Sequence, residues 1–392
     1  MADAPLRLGV IGLGRAFTLM LPTFLNHPRI ALVAAHDPRR DAVARFAAEF
    51  AAAGYDTAEA LCADPSVQAV YVASPHEFHG QHVKLAAAAG KHILVEKPMA
   101  LSINDAAEMV EAARRAGVHL LVGHSHSYDL PYLRAREMIA SGAFGRVRMI
   151  NALNFTDFLY RPRRPEELDA SAGGGVVPSQ AAHQVDVVRL LATSKATSVR
   201  AVTGSWDAAR GTEGAYNAQL RFEDGAFASL TYSGYARFDT DEFNDWLGEM
   251  GQTRDPNDYG QTRRQLATIG SVAEEIAMKN RRTYGPSGAD AFRAPAPPAH
   301  NHFGLVVVSC EHADLRPTAR GVIVYANSER RFEELPKPDV ARAEVVDELY
   351  DAAIRNRRPL HSGAWGLATL EACLAIRQSS AEGAEVRLHH QV

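Results

Sequence analysis

The feature that most constrains this chain is the order of elements in its first forty residues. "LRLGVIGLG" (Leu6–Gly14) is an apolar strand ending in Gly12-Leu13-Gly14. "RAFTLMLPTFLNHP" follows as a helix, and "IALVAAHD" (Ile30–Asp37) is a second strand closed by an acid. Strand, Gly-x-Gly, helix, strand, acid is the order of a dinucleotide-binding βαβ unit. The glycines allow a tight turn and a close approach to a pyrophosphate, which lies on the N-terminus of the helix, here Arg15 and Ala16. Asp37 stands about 20 positions beyond the third motif position, where an acid can bond a ribose 2′-hydroxyl. That third position holds Phe17, so the full G-x-G-x-x-G pattern is absent. Asp37 repels a 2′-phosphate and favours NAD. Arg39 and Arg40 keep the alternative open: they either recruit the phosphate of NADP or are solvated residues at a helix start.

The alternation continues. "DAVARFAAEFAAAG" reads as a helix, "VQAVYVASP" (Val67–Pro75) as a buried strand, and "FHGQHVKLAAAAGK" as another helix. Ile93, Leu94 and Val95 then form a short buried strand that runs into Glu96-Lys97-Pro98. "SINDAAEMVEAARRAG" starts with Ser102 and Asp105 at capping-box spacing and ends at Gly117. "VHLLVGHS" closes the series as a strand. Repeated strand–helix alternation predicts a parallel, doubly wound sheet whose ligands collect at the carboxyl ends of the strands. Ser74-Pro75-His76, with His79 shortly after, Glu96-Lys97 and His124 all fall there. General-base chemistry at neutral pH needs a lysine whose pKa is lowered by burial or a nearby cation, and Lys97 is placed for that. Glu96 points the other way in an extended strand, toward the cofactor or the fold.

At 392 residues the chain is expected to form two domains. Its 46% apolar and 22% charged residues are ordinary for a soluble protein, and a formal charge of −4 gives no electrostatic reason to bind nucleic acid. No uncharged apolar run approaches a membrane span, and the N-terminus lacks the parts of a secretion signal. Cys62, Cys310 and Cys373 match no metal or redox spacing. The expectation is a cytoplasmic protein with reduced thiols. His76, His79 and His82 have helical spacing, and His124 and His126 flank a serine, but no acid or cysteine set completes a site, so no metal is expected.

Further along, His183 follows Gly173-Gly174-Gly175 by eight residues, on a helix through "QVDVVRLLA". Gln180, His183 and Val187 share a face, and Asp186 lies close by. The alternative reading is a core histidine satisfied by Asp186. "TGSWDAARGTEGAYNAQLRFEDGAFASLTYSGYARF" (Thr203–Phe238) alternates as strands, with a hairpin turn at Glu223-Asp224-Gly225. Residues 239–302 are polar, with a helical piece at "SVAEEIAMKN" and a loop at "GPSGADAFRAPAPPAHNH". "RAEVVDELYDAAIRN" and "GAWGLATLEACLAIRQSSAEG" read as C-terminal helices.

Taken together, "GVIGLGRA", "ASPHEFHGQHVKLAAAAGKHILVEKPMAL", "YLRAREMIASGAFGRV" and "GGGVVPSQAAHQVDVVRLLA" resemble the Gfo/Idh/MocA oxidoreductases. The resemblance implies an N-terminal Rossmann domain, residues 1–125, and an α/β domain with a large open, mostly antiparallel sheet, residues 126–392. Residues 239–302 are then an insertion that covers a cleft or extends an oligomer interface. It also implies hydride transfer between NAD or NADP and a hydroxyl-bearing carbon, Lys97 between cofactor and substrate, and His183 as the second catalytic group. A homodimer or homotetramer through the C-terminal sheet is implied too, with the last helices packed on the first domain. Many sugar-oxidising members carry Asp four residues before that histidine; here it is Ser179, beside Gln180, which counts against a sugar or inositol. Within the family, "GGGVVPSQAAHQVD", "NHFGLVVVSCEHADLRP" and "VRLHHQV" are similar to phthalate cis-4,5-dihydrodiol dehydrogenases of aromatic catabolism. A carboxylated substrate of that kind calls for arginines with bidentate geometry, and Arg161, Arg163, Arg164 and Arg237 are the candidates. Dehydrogenation of a sugar, inositol or hydroxy-semialdehyde is the competing activity. A dinucleotide-binding sensor is the competing class, disfavoured because a sensor needs neither Lys97 nor His183.

Overall fold

The structure, a computed structural model, describes residues 4–170, 173–235, 237–285, 289–293 and 295–392. The chain divides into two compact units. One comprises residues 1–124, 278–296 and 340–370, and the other residues 125–277, 297–339 and 371–392.

Among the described residues, the first unit holds six strands: β1 (Leu6–Ile11), β2 (Ile30–His36), β3 (Ala53–Tyr55), β4 (Ala69–Val72), β5 (His92–Val95) and β6 (Leu120–Val122). They are all parallel, in the order β3-β2-β1-β4-β5-β6. Leu8, Val10, Val70, Val72, Ile93 and Val95 are fully buried, as a sheet covered on both faces requires. Each such side chain contributes about 1.5–3 kcal/mol by leaving water. The helix Ile103–Ala116 starts where the capping residues place it: the Ser102 hydroxyl accepts from the Asp105 amide at 3.1 Å, and Gly117 ends it at φ 67°.

The second unit carries nine strands among the described residues: β7 (Val147–Phe155), β8 (Ala196–Gly204), β9 (Ala215–Phe222), β10 (Phe227–Ser233), β11 (Leu305–Cys310), β12 (Ala313–Thr318), β13 (Gly321–Ala326), β14 (Arg330–Glu334) and β15 (Val386–Arg387). Their order is β14-β13-β12-β11-β7-β10-β9-β8-β15, antiparallel except between β7 and β10. The β9–β10 hairpin turns at Gly225, whose φ of +86° suits glycine. Helix Ala182–Ala192 packs on β7 and β10 with every residue buried.

The insertion does not stay in one unit. "SVAEEIAMKN" forms the helix Val272–Asn280, but residues 278–296 return to the Rossmann unit, which a boundary at 125 did not anticipate. The cause is aromatic. Phe17, at the third motif position, meets Phe46 at 5.9 Å between centroids, and Tyr284 stands edge-on to both at 5.6 and 6.1 Å. The bulky residue that breaks the glycine motif is thus received by an aromatic side chain from far along the chain. Residues 286–288 and 294 of the expected loop lie outside the described residues. Residues 340–370 return as well, bringing helix Ala343–Arg355 to the Rossmann unit.

No helix among the described residues is long and apolar enough to cross a membrane. Cys62 and Cys373 are buried and Cys310 is half-buried. Burial pushes Cys62 and Cys310 up to about 11, which leaves them protonated and unreactive at neutral pH.

Candidate active site

In the Rossmann unit the backbone carries the sheet's register beyond the strand ends. The amides of Gly12, Ala73, Glu96 and Gly123 donate to His36, Ile11, Val72 and Val95 at 2.8–3.0 Å. This ledge sets the loops Gly12–Gly14, Ala73–His76, Glu96–Lys97 and Gly123–His124 side by side at the carboxyl edge, where the strand order reverses between β1 and β4. Gly12 has φ +97°, and a Cβ there would lie 2.6 Å from the Ala73 carbonyl oxygen. Gly14 is the N-cap of helix Arg15–Asn26, with no side-chain cap and no acid in the first turn, and a Cβ built on it meets nothing within 4 Å. The open cradle and the amides at that helix start fit the pyrophosphate of a dinucleotide. Leu13, Arg15 and Ala16 frame it, and the Arg15 guanidinium reaches the Thr18 hydroxyl at 3.4 Å.

Three residues expected at the cofactor have other engagements. Asp37, expected to meet a ribose hydroxyl, is buried. It accepts from the Leu13 amide at 2.7 Å and from the Arg39 amide and Nε at 2.9 Å each. Glu96 accepts from the Tyr71 hydroxyl at 2.5 Å inside the unit, and burial raises its carboxyl above the usual range. Of its two expected directions, the structure takes the fold. His79 is fully buried: Nε2 lies 2.9 Å from the Ser74 carbonyl and Nδ1 3.0 Å from the Pro98 carbonyl. It therefore braces the loop after β4 against the turn that carries Lys97. Ser74 also bonds His82 Nδ1 at 2.8 Å, and His76 packs edge-on to His79 at 5.5 Å. Lys97 itself is half-buried, at the carboxyl end of β5, followed by a cis peptide to Pro98.

The second unit gathers a separate cluster. A single π-helical turn, Val177–Ala181, delivers Gln180 and then His183, which is 3% exposed. His183 stacks edge-on to His126 at 4.8 Å and against Phe303 at 5.1 Å. Asp186 accepts from Ser127 at 3.3 Å and pairs with Arg189 at 3.8 Å. Gln180 accepts from the Tyr232 hydroxyl at 3.3 Å, and the Ser179 hydroxyl donates to the Gly175 carbonyl.

Around His126 runs a row of alternating charges that the sequence did not disclose. His126 Nδ1 lies 2.6 Å from Asp129 and Nε2 3.3 Å from Glu249; Glu249 lies 4.0 Å from Arg161, whose Nε bonds Asp157 at 3.0 Å. Burial pushes the His126 imidazolium down, but Asp129 and Glu249 outweigh it and raise the pKa to about 9. Burial likewise pushes Glu249 up, and the bond from His126 with the charges of His126 and Arg161 brings it down to about 2. Both are ionised at neutral pH. Glu249 belongs to the insertion, and only its position between charged neighbours in space marks it out.

Arg161 and Arg163 share the ring of Phe158, at 5.7 and 3.6 Å from its centroid. Arg163 is 11% exposed, donates to the Phe158 carbonyl at 2.7 Å, and has a buried Nε without a hydrogen-bond partner. Burial pulls its guanidinium down to about 10, still charged at neutral pH. Glu275 of the insertion accepts from the Arg163 amide and from Arg210, both at 2.8 Å, which fixes this loop. Arg164 caps the short turn Pro165–Leu168 through its amide and Glu167 at 2.8 Å. Arg237 is exposed and lines a recess of about 260 Å³ with Asp157, Arg254 and Arg263.

The six-stranded parallel sheet, with an open cradle where its first helix starts, is the architecture of a Rossmann dinucleotide-binding unit. The comparisons with known proteins agree. The chain belongs to the Gfo/Idh/MocA oxidoreductase family: residues 6–124 match its NAD-binding Rossmann fold and residues 132–252 a C-terminal domain of the same family. It is an NAD-dependent dehydrogenase of that family. Among its relatives is the 1-carboxy-3-chloro-3,4-dihydroxycyclohexa-1,5-diene dehydrogenase of Comamonas testosteroni, 48% identical, covering 95% of this chain and 94% of that protein. The crystal structure of a putative dehydrogenase from Bordetella bronchiseptica superposes with a TM-score of 0.91 at 42% identity, over 98% of this chain and 100% of that one. An Agrobacterium radiobacter oxidoreductase in complex with NAD+, L-tartaric acid and magnesium shares the fold, with a TM-score of 0.71 at 18% identity over 98% of each chain.

Proposed function

We propose that this dehydrogenase oxidises a carboxylated cis-dihydroxycyclohexadiene to the corresponding catechol. The observation that carries the reading is the pair of guanidinium groups on Phe158, one of them with a buried Nε left to donate. A charged, buried Nε without an acceptor is costly, and a substrate carboxylate would supply that acceptor through a charge-assisted bond. The Comamonas relative is named for a substrate that carries one carboxyl group and a vicinal diol on a cyclohexadiene.

NAD supplies the acceptor for the hydride that leaves the carbinol carbon. Lys97 takes the hydroxyl proton, held in place by the turn that His79 braces. His183 and Gln180 bond the diol. The hydroxy-ketone formed tautomerises to the catechol, and the aromaticity gained draws the reaction forward. The outer face of the large sheet, with exposed Val202, Phe227, Tyr325 and Phe332, supports pairing of two copies through it.

The test compares a carboxylated cis-dihydrodiol with the same diol lacking its carboxyl group. The proposal expects kcat/KM to favour the carboxylated diol by about 10- to 150-fold, and Arg163→Met to remove most of that preference, since a charged hydrogen bond is worth roughly 1.5–3 kcal/mol. Equal rates with both diols would refute the carboxylate site.

A further inference from the structure

The segment of the insertion that returns to the Rossmann unit lies over the acid and arginine that follow β2. Arg282 accepts through its carbonyl from the Thr18 hydroxyl at 2.9 Å, the Tyr284 amide donates to the Leu13 carbonyl at 3.2 Å, and the Gly285 carbonyl accepts from Arg45 at 2.8 Å. The Tyr284 hydroxyl reaches Glu49 at 2.6 Å, and its ring closes the cluster around Phe17. The strap is therefore anchored at five points on the surface that includes the glycine loop.

Its effect on Arg39 can be followed donor by donor. Nε donates to Asp37 Oδ1 at 2.9 Å. Nη1 donates to the Thr283 hydroxyl at 3.0 Å and the Tyr284 carbonyl at 2.9 Å. Nη2 donates to the Leu13 carbonyl at 2.9 Å and Asp37 Oδ2 at 3.1 Å. A guanidinium has five N–H groups, and all five are engaged. The rim around it is rich in acceptors: a carboxylate, two carbonyls and a hydroxyl. A 2′-phosphate, which only accepts when ionised, finds no donor on Arg39 unless two or more of these bonds break. Arg40, the other arginine of the pair, is exposed and lies 3.6 Å from Asp56.

We propose that the strap Arg282–Gly285 is the determinant that sets this enzyme against NADP, by turning Arg39 from a phosphate ligand into a fixed wall of the adenosine site. The inference rests on dinucleotide binding by the Rossmann unit and is independent of the substrate named above. Its test therefore uses no substrate: the full chain is titrated with NADH and with NADPH, following the fluorescence of the bound dihydronicotinamide. NADPH is expected to bind at least about 30-fold more weakly than NADH. Thr283→Ala removes one Nη1 acceptor and is expected to narrow that ratio by about threefold to tenfold. Thr283→Ser keeps the acceptor and retains the wild-type ratio, and adding Arg39→Ala to Thr283→Ala cancels the gain. NADPH binding within threefold of NADH in the wild type would overturn the proposal. So would a Thr283→Ala variant that weakens or strengthens both nucleotides alike, since the strap would then be support for the fold alone.

Discussion

Replacing Glu249 by Gln tests the charged row around His126. The rise of His126 from 6.5 to about 9 corresponds to on the order of 3 kcal/mol in favour of the imidazolium. Two carboxylates share this. Asp129, at 2.6 Å, holds the larger part, and Glu249, at 3.3 Å and partly open to solvent, accounts for roughly 1 kcal/mol. Glu249→Gln is therefore expected to lower the His126 titration to about 8 and the stability at neutral pH by roughly 1–2 kcal/mol. The sign follows from linkage. A histidine raised on folding contributes stability that is fully present below 6.5 and is lost as pH climbs through about 9. A glutamate depressed on folding contributes stability present above 4.5 and lost as pH falls through about 2. Wild-type urea melts should thus weaken between pH 6.5 and pH 9, and the variant should show a shallower decline that ends sooner. The assay pairs those melts with a histidine NMR titration. An unmoved His126 resonance, with parallel stability curves, would refute the coupling.

Three further variants probe the Rossmann unit. Lys97→Ala should abolish turnover while NADH affinity, read by fluorescence, stays within a few-fold; retained turnover would remove Lys97 from the chemistry. His79→Ala breaks the bonds to the Ser74 and Pro98 carbonyls and leaves a cavity, so a loss of about 3 kcal/mol in urea melts is expected, with kcat falling more than NADH affinity. Gly12→Ala places a methyl group 2.6 Å from the Ala73 carbonyl at φ +97°, so it should cost more than about 1 kcal/mol and largely eliminate NADH binding in the same titration.

The parts of the fold legible in the sequence are those written locally. The alternation of β1, β2, β4, β5 and β6 with helices, the Ser102 cap, the Gly117 stop and the Glu223–Gly225 hairpin each depend on residues within a few positions of one another, and each stands where the pattern placed it; β3 (Ala53–Tyr55) does not, since its first residues fall in a stretch read as helix that in fact ends at Phe50. Strand geometry turned Glu96 away from Lys97 but left both the cofactor and the fold open to it, and its partner Tyr71 was not readable. Partnerships across long stretches of chain were not readable. Tyr284 meets Phe17, Glu249 meets His126, and Glu275 meets Arg163 across 112 positions. No period or spacing links such pairs. Phe17 looked like a defect in a glycine motif because its compensating aromatic lies in the insertion. Asp37 and Arg39 drew notice as separate cofactor ligands, and only the folded chain shows them closed on each other beneath the strap.

The most direct test of the proposed activity follows absorbance at the reduced-nicotinamide band with purified protein and NAD. The panel contains a carboxylated cis-dihydrodiol, glucose, myo-inositol and a hydroxy-semialdehyde. Fast NADH formation with the dihydrodiol alone, accompanied by an equal amount of catechol, is the result expected. Turnover with a polyol and none with the dihydrodiol would contradict the assignment, leaving the Rossmann unit and its cradle intact but showing that Arg161 and Arg163 serve the fold rather than a carboxylate.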